Sequence, residues 1–285
     1  MPVEEPLFQL LKDRSQALSR NHRLVARYVL ANYQRVAFAT IKQLSVLSGV
    51  SEATIVRFVK ALDFNGYPAF QKEVRRIVRA DLKGTERFKL GAQRPGPEGS
   101  PLAPIVQKEI ENISALQEGF SRTDVEKAVQ ALRSAPEVMV AGARSTASLA
   151  CHLWFGLTKL GIAAERVIAV TTETYDRVAR LPRDAAVVVI GFPRYVRDLI
   201  DLLAFVRARG LRTITLTDNP VSPLHGDIHL STPAESSSFV AFHCAPLILI
   251  NHLLHELSLV DKKQTLAALN RFESLAEERR YFVGD

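Results

Sequence analysis

Residues 138–150 (VMVAGARSTASLA) bring together groups that can hold a small anion. Gly142 ends a short apolar run and permits a tight turn, and Ser145 and Thr146 follow where a helix is expected to begin. The first turn of a helix presents free backbone N–H groups and a positive dipole end, which attract negative charge. We therefore predict that Gly142, Ser145 and Thr146 bind phosphate or carboxylate. The alternative is that the two hydroxyls only cap the helix.

A second set of candidates could transfer protons. His243, His252, His255 and Glu256 lie in one apolar stretch, and His252 and Glu256 are at i and i+4. Acid–base catalysis, such as the movement of a proton between adjacent carbons, needs a positioned acid–base pair, but isolated histidines in a helix rich in Leu and Ile usually lie at surfaces or interfaces. His252 and His255 have neither an HExxH motif nor a third ligand for a metal. We predict no catalytic residue, no metal and no cofactor, and hence no enzyme.

Residues 40–63 (TIKQLSVLSGVSEATIVRFVKALD) contain the parts of a helix-turn-helix in order. Apolar residues of a first helix are followed by Gly49, which permits the left-handed backbone of a tight turn, and by Ser51, which can cap a second helix. The second helix has one apolar face at i, i+3, i+4 and i+7. The residues of that face are Ile55, Phe58, Val59 and Leu62. The alternative is an ordinary hairpin of two amphipathic helices.

The opposite face of the second helix is predicted to bind DNA. Residues near the N-terminus of a recognition helix reach base edges in the major groove, so we assign Thr54 and Arg57 to bases or nearby phosphates. Ser51 is expected to contact phosphate through its hydroxyl and backbone N–H. The remaining candidates lie beside them or are expected to face the DNA backbone: Glu52, Lys60, Lys42 and Gln43.

The distribution of charge fits either a DNA-binding N-terminal part or a merely soluble basic helical domain. The 285 residues carry a net charge of +7, and residues 1–90 alone hold 16 Lys and Arg against 8 Asp and Glu. The remainder of the chain is therefore close to neutral. A basic domain attached to a neutral one is typical of a polyanion-binding module, because phosphate neutralisation supplies most of the sequence-independent affinity for DNA.

The composition predicts a globular protein of the cytoplasm. Hydrophobic residues make up 47% of the chain, yet no apolar run approaches the roughly 18 residues of a membrane span, and the N-terminus is acidic rather than signal-like. Cys151 and Cys244 lie far apart in apolar contexts, without the spacing of a zinc site or a disulfide framework. We predict two buried thiols in a reducing compartment and no contact with a membrane.

Two domains of different class are predicted to position these candidates. Residues 5–80 show helical spacing, and 83–104 are rich in Pro and Gly, as expected of a linker. From residue 105, two helical stretches lead into short apolar runs that alternate with helical ones, the pattern of βαβ units. The predicted strands are 138–141, 166–170, 186–190, 213–216 and 228–230. The main predicted helices are 105–120, 123–134, 146–160, 195–209, 240–259 and 261–280.

Strands that are apolar on both faces belong to parallel sheets covered by helices on both sides. The predicted fold is therefore an all-α helix-turn-helix domain (1–82), a linker (83–104), and an α/β doubly wound sandwich with a five-stranded parallel sheet (105–285). In such sheets, ligands bind beyond the carboxyl ends of the strands. The anion-binding candidates follow one of these ends.

Residues 50–70 (VSEATIVRFVKALDFNGYPAF) closely resemble the RpiR (ribose-phosphate-isomerase repressor) family of bacterial regulators. The family pattern is V-S-x-A-T-hydrophobic-x-R-F-x-x-x-L-G-F-x-G-Y-x-x-F, and this chain departs from it at Asp63, where the family usually has glycine. The resemblance implies that the helices before the motif, roughly 18–39, pack on it and help the protein to dimerise. Two copies are then expected to read a pseudo-palindromic operator.

The same family carries a C-terminal sugar isomerase (SIS) domain that binds phosphosugars, and residues 105–285 resemble it in order and length. In the SIS pattern G-x-G-x-S, Arg144 replaces the second glycine. In the SIS loop S-x-S-G-x-[ST], Arg194 replaces the glycine and Val196 the last hydroxyl, with Tyr195 and Arg197 beside them. Arginine binds carboxylate as well as phosphate. The resemblance implies an anionic effector, and the two departures from its pattern leave open a sugar phosphate, a carboxylate-bearing catabolite or another anion, with these arginines among its contacts. The alternative for Arg197 is an exposed position on the helix surface.

The resemblance also implies a role for the segment before the penultimate helix, where SIS domains bring further polar groups towards the ligand. Glu235 and residues 236–238 occupy that place. The predicted function is a homodimeric or homotetrameric transcriptional regulator whose affinity for a double-stranded DNA operator is controlled by a small anionic metabolite. The alternative is an SIS-type sugar-phosphate isomerase or binding protein with an accessory helical domain.

Overall fold

The computed structural model describes residues 11, 18–81, 85, 100, 102–219, 222–236 and 238–283. The chain divides into two compact units, Met1–Lys89 and Leu90–Asp285. Most of the linker predicted at 83–104 lies outside the described residues. Within the described residues, no helix combines the length and the apolar character needed to cross a membrane.

The first unit is helical, and its core is built on the helix-turn-helix. The helices are α1 (Arg20–Val36), α2 (Ile41–Ser48), α3 (Glu52–Ala61) and α4 (Tyr67–Asp81). Phe58 of α3 and Phe70 of α4 are fully buried and meet edge to face, with ring centroids 6.0 Å apart. Aromatic pairs in this geometry add to the stability gained by burial. The packing fixes α3 at one face and leaves the other face outside the core.

The second unit contains a five-stranded parallel sheet in the order β2-β1-β3-β4-β5. This confirms the predicted fold class. The strands are β1 (Val138–Gly142), β2 (Ala164–Val167), β3 (Ala186–Ile190), β4 (Arg212–Thr217) and β5 (Ile228–Ser231). In β1 and β3 every residue is buried, because helices cover both faces of the sheet.

Alternate residues of each central strand belong to two different cores. Val138 and Val140 of β1 pack with one helical layer, and Met139 and Ala141 pack with the other. The first layer contains α5 (Ala103–Glu118), α6 (Arg122–Ser134), α7 (Ala147–Lys159) and α10 (Cys244–Val260). The second layer contains α8 (Thr172–Arg180) and α9 (Arg197–Ala208). The chain ends on α11 (Lys262–Arg279), which the sequence predicts at 261–280.

The edge of the sheet differs from the sequence prediction. Strand β2 begins at Ala164 rather than 166 and ends at Val167, the one residue of the strand that is buried. Ile168 continues the apolar run but is 50% exposed, so hydrophobicity is a poor guide to an edge strand. The sequence also misses α8, because this polar helix buries only Thr174 and Val178. The predicted burial of the two thiols is wrong as well: Cys151 is partly exposed and Cys244 is exposed.

Candidate DNA-binding and effector-binding sites

The helix-turn-helix is fixed by hydrogen bonds at both sides of its turn. Thr40 and Gln43 form a reciprocal capping box at the start of α2, with Thr40 N–H donating to Gln43 Oε1 at 2.8 Å. Gly49 ends α2 in the left-handed conformation, at φ 69°. Ser51 then caps α3, since its Oγ accepts a hydrogen bond from Thr54 N–H at 3.2 Å. The predicted roles of Gly49 and Ser51 in the turn match this geometry.

The exposed face of α3 carries three of the predicted DNA-binding side chains. Glu52, Arg57 and Lys60 are exposed, and Lys42 and Gln43 are exposed at the start of α2. The amide oxygen of Gln43 is used in the capping box, which leaves its NH₂ group for a phosphate.

Thr54 lies differently from the sequence prediction, which displays it on the DNA-facing surface. Its side chain is buried, with 6% exposure, and its Oγ1 lies 2.9 Å from Ser51 Oγ. Arg57 Nη2 donates to the same oxygen at 3.5 Å. Thr54 lies three residues after the N-cap Ser51, so its side chain points towards the start of α3. There its hydroxyl positions Ser51 and Arg57 and does not reach the bases itself.

The positive charge of Arg57 also acts on the adjacent helix. His22 of α1 packs edge-on against Phe58, with ring centroids 5.8 Å apart. Burial, and then the nearby Arg57, lower the pKa of His22. Arg57 therefore lies beside a histidine whose charged form is disfavoured.

In the second unit, Gly142 is required by close packing at the end of β1. A Cβ at this position would lie 2.6 Å from Thr146 O and 3.0 Å from Ala150 Cβ. The residue is buried, so its part in the site is to let the following turn approach the sheet. Sequence analysis predicts it as an effector-binding residue, and the packing assigns it a positioning role.

We expect Gly142→Ala to lower the free energy of unfolding by about 1–3 kcal/mol, because the added methyl group meets backbone that cannot move aside. Gly119→Ala is the matched control. Its Cβ would lie 3.3 Å from Ala115 O at the exposed end of α5, a contact that a small shift relieves. Urea unfolding of both variants measures the difference, and equal losses would contradict this explanation.

Thr146 is not available to a ligand, contrary to the prediction. It is 5% exposed, and its Oγ1 accepts from Ala143 N–H at 3.1 Å while donating to Ile190 O at 2.9 Å. The hydroxyl therefore ties the turn after β1 to the end of β3. Ser145, by contrast, is exposed.

Two arginines of the site have left-handed backbones. Arg144 has φ 57° and Arg194 has φ 71°, and both side chains are exposed. Both stand where the SIS pattern has glycine, and Asp63, with φ 67°, stands where the helix-turn-helix pattern has glycine. These turns therefore keep a glycine-type backbone while carrying a side chain, which costs about 1–2 kcal/mol per residue. Neither arginine side chain forms a hydrogen bond or ion pair with any residue that the structure describes.

The loop after β3 is held by the loop after β4. The Tyr195 hydroxyl donates to Asp218 Oδ1, and Asp218 Oδ2 accepts from Asn219 Nδ2 at 2.9 Å. Val196 is the N-cap position of α9, and Arg197 is exposed in its first turn. The predicted residues Arg194, Tyr195 and Arg197 thus lie together in one loop, with the tyrosine hydroxyl already used to position it.

Glu235 is fixed by helix α5, which the sequence prediction does not include in the site. Its carboxylate lies 2.6 Å from Lys108 Nζ, and its backbone oxygen accepts from Asn112 Nδ2 at 2.8 Å. Lys108 and Asn112 are at i and i+4, and Asn112 is 2% exposed. That buried polar residue is the signal from which the contact could have been suspected.

Two of the histidines considered for acid–base chemistry, His252 and His255, lie on α10 outside the loops of Arg144 and Arg194. His252 packs edge-on against Phe120, with ring centroids 5.2 Å apart, and lies 4.0 Å from Glu256 in a groove between α6 and α10. His255 is exposed. Among the described residues, no group of three or more His, Cys, Asp and Glu side chains is placed to hold a metal ion.

Both units match known protein families. Residues 6–78 match the helix-turn-helix domain of the rpiR family, and residues 131–255 match the SIS domain. The chain belongs to the RpiR family of transcriptional regulators. The resemblance predicted from residues 50–70 is thereby confirmed, and so is the assignment as a regulator rather than an enzyme.

Relatives in this family cover most of the chain. The HTH-type transcriptional regulator YbbH of Bacillus subtilis is 24% identical over 253 residues, which are 81% of this chain and 84% of YbbH. The regulator HexR of Pseudomonas aeruginosa is 23% identical over 219 residues, covering 74% of this chain and 73% of HexR.

This RpiR regulator has the same architecture as solved structures of other proteins. The sugar isomerase domain of an RpiR transcription factor from Sphaerobacter thermophilus is 26% identical, with a TM-score of 0.59, and covers 61% of this chain and 99% of that domain. NanR of Vibrio vulnificus, solved in complex with ManNAc-6P, is 18% identical, with a TM-score of 0.61, and covers 95% of this chain and 98% of NanR. At that identity the likeness concerns the fold.

Proposed function

We propose that this RpiR regulator binds an operator through α3 and that a small anionic metabolite, held at the carboxyl ends of β1 and β3, controls its operator affinity. The observation that carries the proposal is the pair of exposed arginines, Arg144 and Arg194, in left-handed turns at neighbouring strand ends. Neither is paired within the described part of the chain. A strained, unpaired cation in each of two adjacent loops is explained by a bound anion.

The donors around this position suit phosphate or carboxylate. Ser145 adds an exposed hydroxyl beside Arg144, and Arg197 adds a second guanidinium in the loop of Arg194. Arginine offers a planar fork that matches both anions, so the exchange of glycines for arginines favours a ligand with a strong negative charge. NanR, which shares this fold, holds ManNAc-6P, and this favours a phosphorylated sugar among the candidates.

DNA recognition is assigned to the exposed side chains of α3 and the start of α2. Arg57 is the candidate for base contact, and Ser51, Lys60, Lys42 and Gln43 are candidates for the phosphate backbone. Two or four copies of the chain would present two recognition helices to a pseudo-palindromic operator, with half-sites about one helical turn, or a multiple of it, apart.

The effector acts by changing the spacing of the two DNA-binding units in the oligomer. Both half-sites must be met at once, so a small change in separation lowers the effective concentration of the second unit at its half-site. The effector and the operator are then coupled reciprocally: each changes the affinity of the protein for the other.

The test is a binding measurement with the full chain. An operator is first selected from random double-stranded DNA, and its affinity is then measured by fluorescence anisotropy with and without sugar phosphates and sugar acids. We expect at least one of these anions to change the Kd at least fivefold, the lower end of ordinary allosteric coupling. Equal Kd values at saturating concentrations of an anion shown to bind would contradict the proposed control.

A further inference from the structure

A cleft of about 740 Å³ lies at the amino-terminal end of the sheet, away from the proposed effector site. Residues of α6, the starts of β4 and β5, and the end of α10 line it. Arg212 is the first residue of β4, which runs parallel to β3, so it lies at the opposite end of the sheet from the loop of Arg194. A strand rises about 3.3 Å per residue, so the two ends are roughly 15–20 Å apart. The cleft is therefore separate from the arginine loops.

Arg212 gives this cleft a positive charge. Its Nη1 donates to Ser134 Oγ at 3.0 Å, and among the described residues no carboxylate pairs with it. The Ser134 hydroxyl in turn donates to Ala131 O at 3.3 Å, so it links Arg212 to the end of α6. The remaining N–H groups of the guanidinium are then available to an anion in the cleft.

The other charged residues of the cleft are already engaged. Asp227 Oδ2 accepts hydrogen bonds from Thr213 N–H at 2.9 Å and from Thr213 Oγ1 at 2.7 Å. Arg133 forms an ion pair of 3.0 Å with Asp261, and Lys127, at the rim, forms one of 3.5 Å. Within the described part of the cleft, Arg212 is thus the group left to hold an anion. One guanidinium suits the single charge of a carboxylate better than the double charge of a phosphate.

The remaining walls of the cleft are apolar, and they continue beyond it. A second groove of about 580 Å³, between α6 and α10, shares Val129, Gln130 and Val260 with the cleft and extends to Phe120. Val260 is 53% exposed and Phe120 is 40% exposed. Adjoining exposed apolar groups with a polar rim are typical of binding surfaces. The two spaces form one groove along α6, with a cation at one end and an aromatic ring at the other.

The charged residues of the second groove are paired with one another at its sides. Arg122 and Glu126 of α6 lie 2.8 Å apart, and His252 and Glu256 of α10 lie 4.0 Å apart. Val125, on the same helix as Arg122, is 3% exposed beneath them. The groove therefore offers an apolar floor between two polar edges.

We propose that this groove binds a fatty acid, with its carboxylate at Arg212 and its alkyl chain along α6 towards Phe120. The guanidinium is a planar fork that matches a carboxylate. Each methylene group of the chain that leaves water for the apolar floor adds to the affinity. This ligand differs from the proposed effector in its place on the molecule and in its apolar body.

Calorimetric titration of the full chain with octanoate, octan-1-ol and acetate tests this. We expect octanoate to bind at least about tenfold more tightly than octan-1-ol, because hydrogen bonds to charged groups contribute that much or more. It should bind at least about a hundredfold more tightly than acetate, because acetate lacks the alkyl chain. No binding of octanoate, or equal binding of octanoate and octan-1-ol, overturns the inference.

Variants separate the two ends of the groove. Arg212→Gln should weaken octanoate about tenfold to a hundredfold and leave octan-1-ol unchanged, whereas Val260→Asn should weaken both. Arg183→Gln and Val46→Asn replace an exposed arginine elsewhere on the sheet unit and an exposed valine of the other unit, and should bind as the parent does. Unchanged octanoate binding in both groove variants overturns the inference.

Two further measurements assign the position. The double variant Arg144→Gly, Arg194→Gly should bind octanoate as the parent does, because those loops lie at the other end of the sheet. Loss of octanoate binding in that variant would place the probe at the effector site and overturn the inference. Light scattering of Val260→Asn should show the parent's oligomeric state. A change of state would assign the groove to a second copy of the chain and would also overturn the inference.

Discussion

Arg57→Ala is expected to weaken operator binding by about 1–3 kcal/mol, roughly fivefold to a hundredfold, and to relax the base preference at one position of each half-site. Arg57 is exposed at the middle of α3, and Thr54, itself fixed by Ser51, accepts its hydrogen bond. The side chain therefore leaves the helix in a set direction, which a base-specific contact requires. Fluorescence anisotropy at constant salt, with the selected operator and single-base variants of it, measures the loss.

Two comparisons separate base recognition from charge. Lys60→Ala, at a position assigned to phosphate, should weaken all sequences about equally and reduce the slope of log Kd against log salt by about 1. Arg183→Ala removes the same charge from an exposed position of the sheet unit and should leave the operator Kd unchanged. If Arg57→Ala behaves like Lys60→Ala, with an equal loss on every sequence, Arg57 contacts only phosphate.

The second large effect is expected from placing glycine, as in the SIS pattern, at two positions of the proposed effector site. The double variant Arg144→Gly, Arg194→Gly should unfold at higher denaturant, with a gain of about 1–2 kcal/mol per position, because both residues have left-handed backbones at φ 57° and φ 71°. It should also bind anionic effectors at least about a hundredfold more weakly, since two charge-assisted hydrogen-bonding groups are lost. Stability and effector affinity thus move in opposite directions.

Asp63→Gly is the control for the energetic cost of a left-handed backbone. Asp63 has φ 67° and ends the helix-turn-helix motif, in the other compact unit. The substitution removes the same backbone strain but also a contact of Asp63, so it should stabilise the first unit by less than the strain energy and leave effector binding as it is. Urea unfolding measures the stability of the variants, and calorimetric titration measures their effector affinity. A double variant that is less stable than the parent would show that the arginines have structural partners that stabilise their turns.

The sequence predicts the elements that are buried on both faces and is less reliable where burial is partial. Strand β3 lies at the predicted residues 186–190, because all five of its side chains are buried. Strand β2 and helix α8 bury few residues, so their apolar pattern is weak. Periodicity reports which face is apolar, and it contains little information where an element has almost no apolar face.

Prediction of the candidate sites from sequence has a similar limit, because it does not extend to the hydrogen-bond partners of single hydroxyl groups. The sequence places Thr54 and Thr146 correctly at helix starts, but it does not reveal which partners their hydroxyls find. Thr146 bonds to Ile190, 44 residues away, and Lys108 bonds to Glu235, 127 residues away. Such contacts depend on the order of strands in the sheet and on the path of α5, which no local pattern encodes.

The hydroxyl of Thr146 has a consequence for how the regulator selects its signal. Because this one group joins the turn of Arg144 to the end of β3, the two arginine loops keep their spacing before any ligand arrives. A receptor whose charges are held at a fixed separation loses little conformational entropy on binding, and it discriminates against anions of the wrong length. Under the proposed function, this fixed separation favours one anionic metabolite over others of like charge but different length.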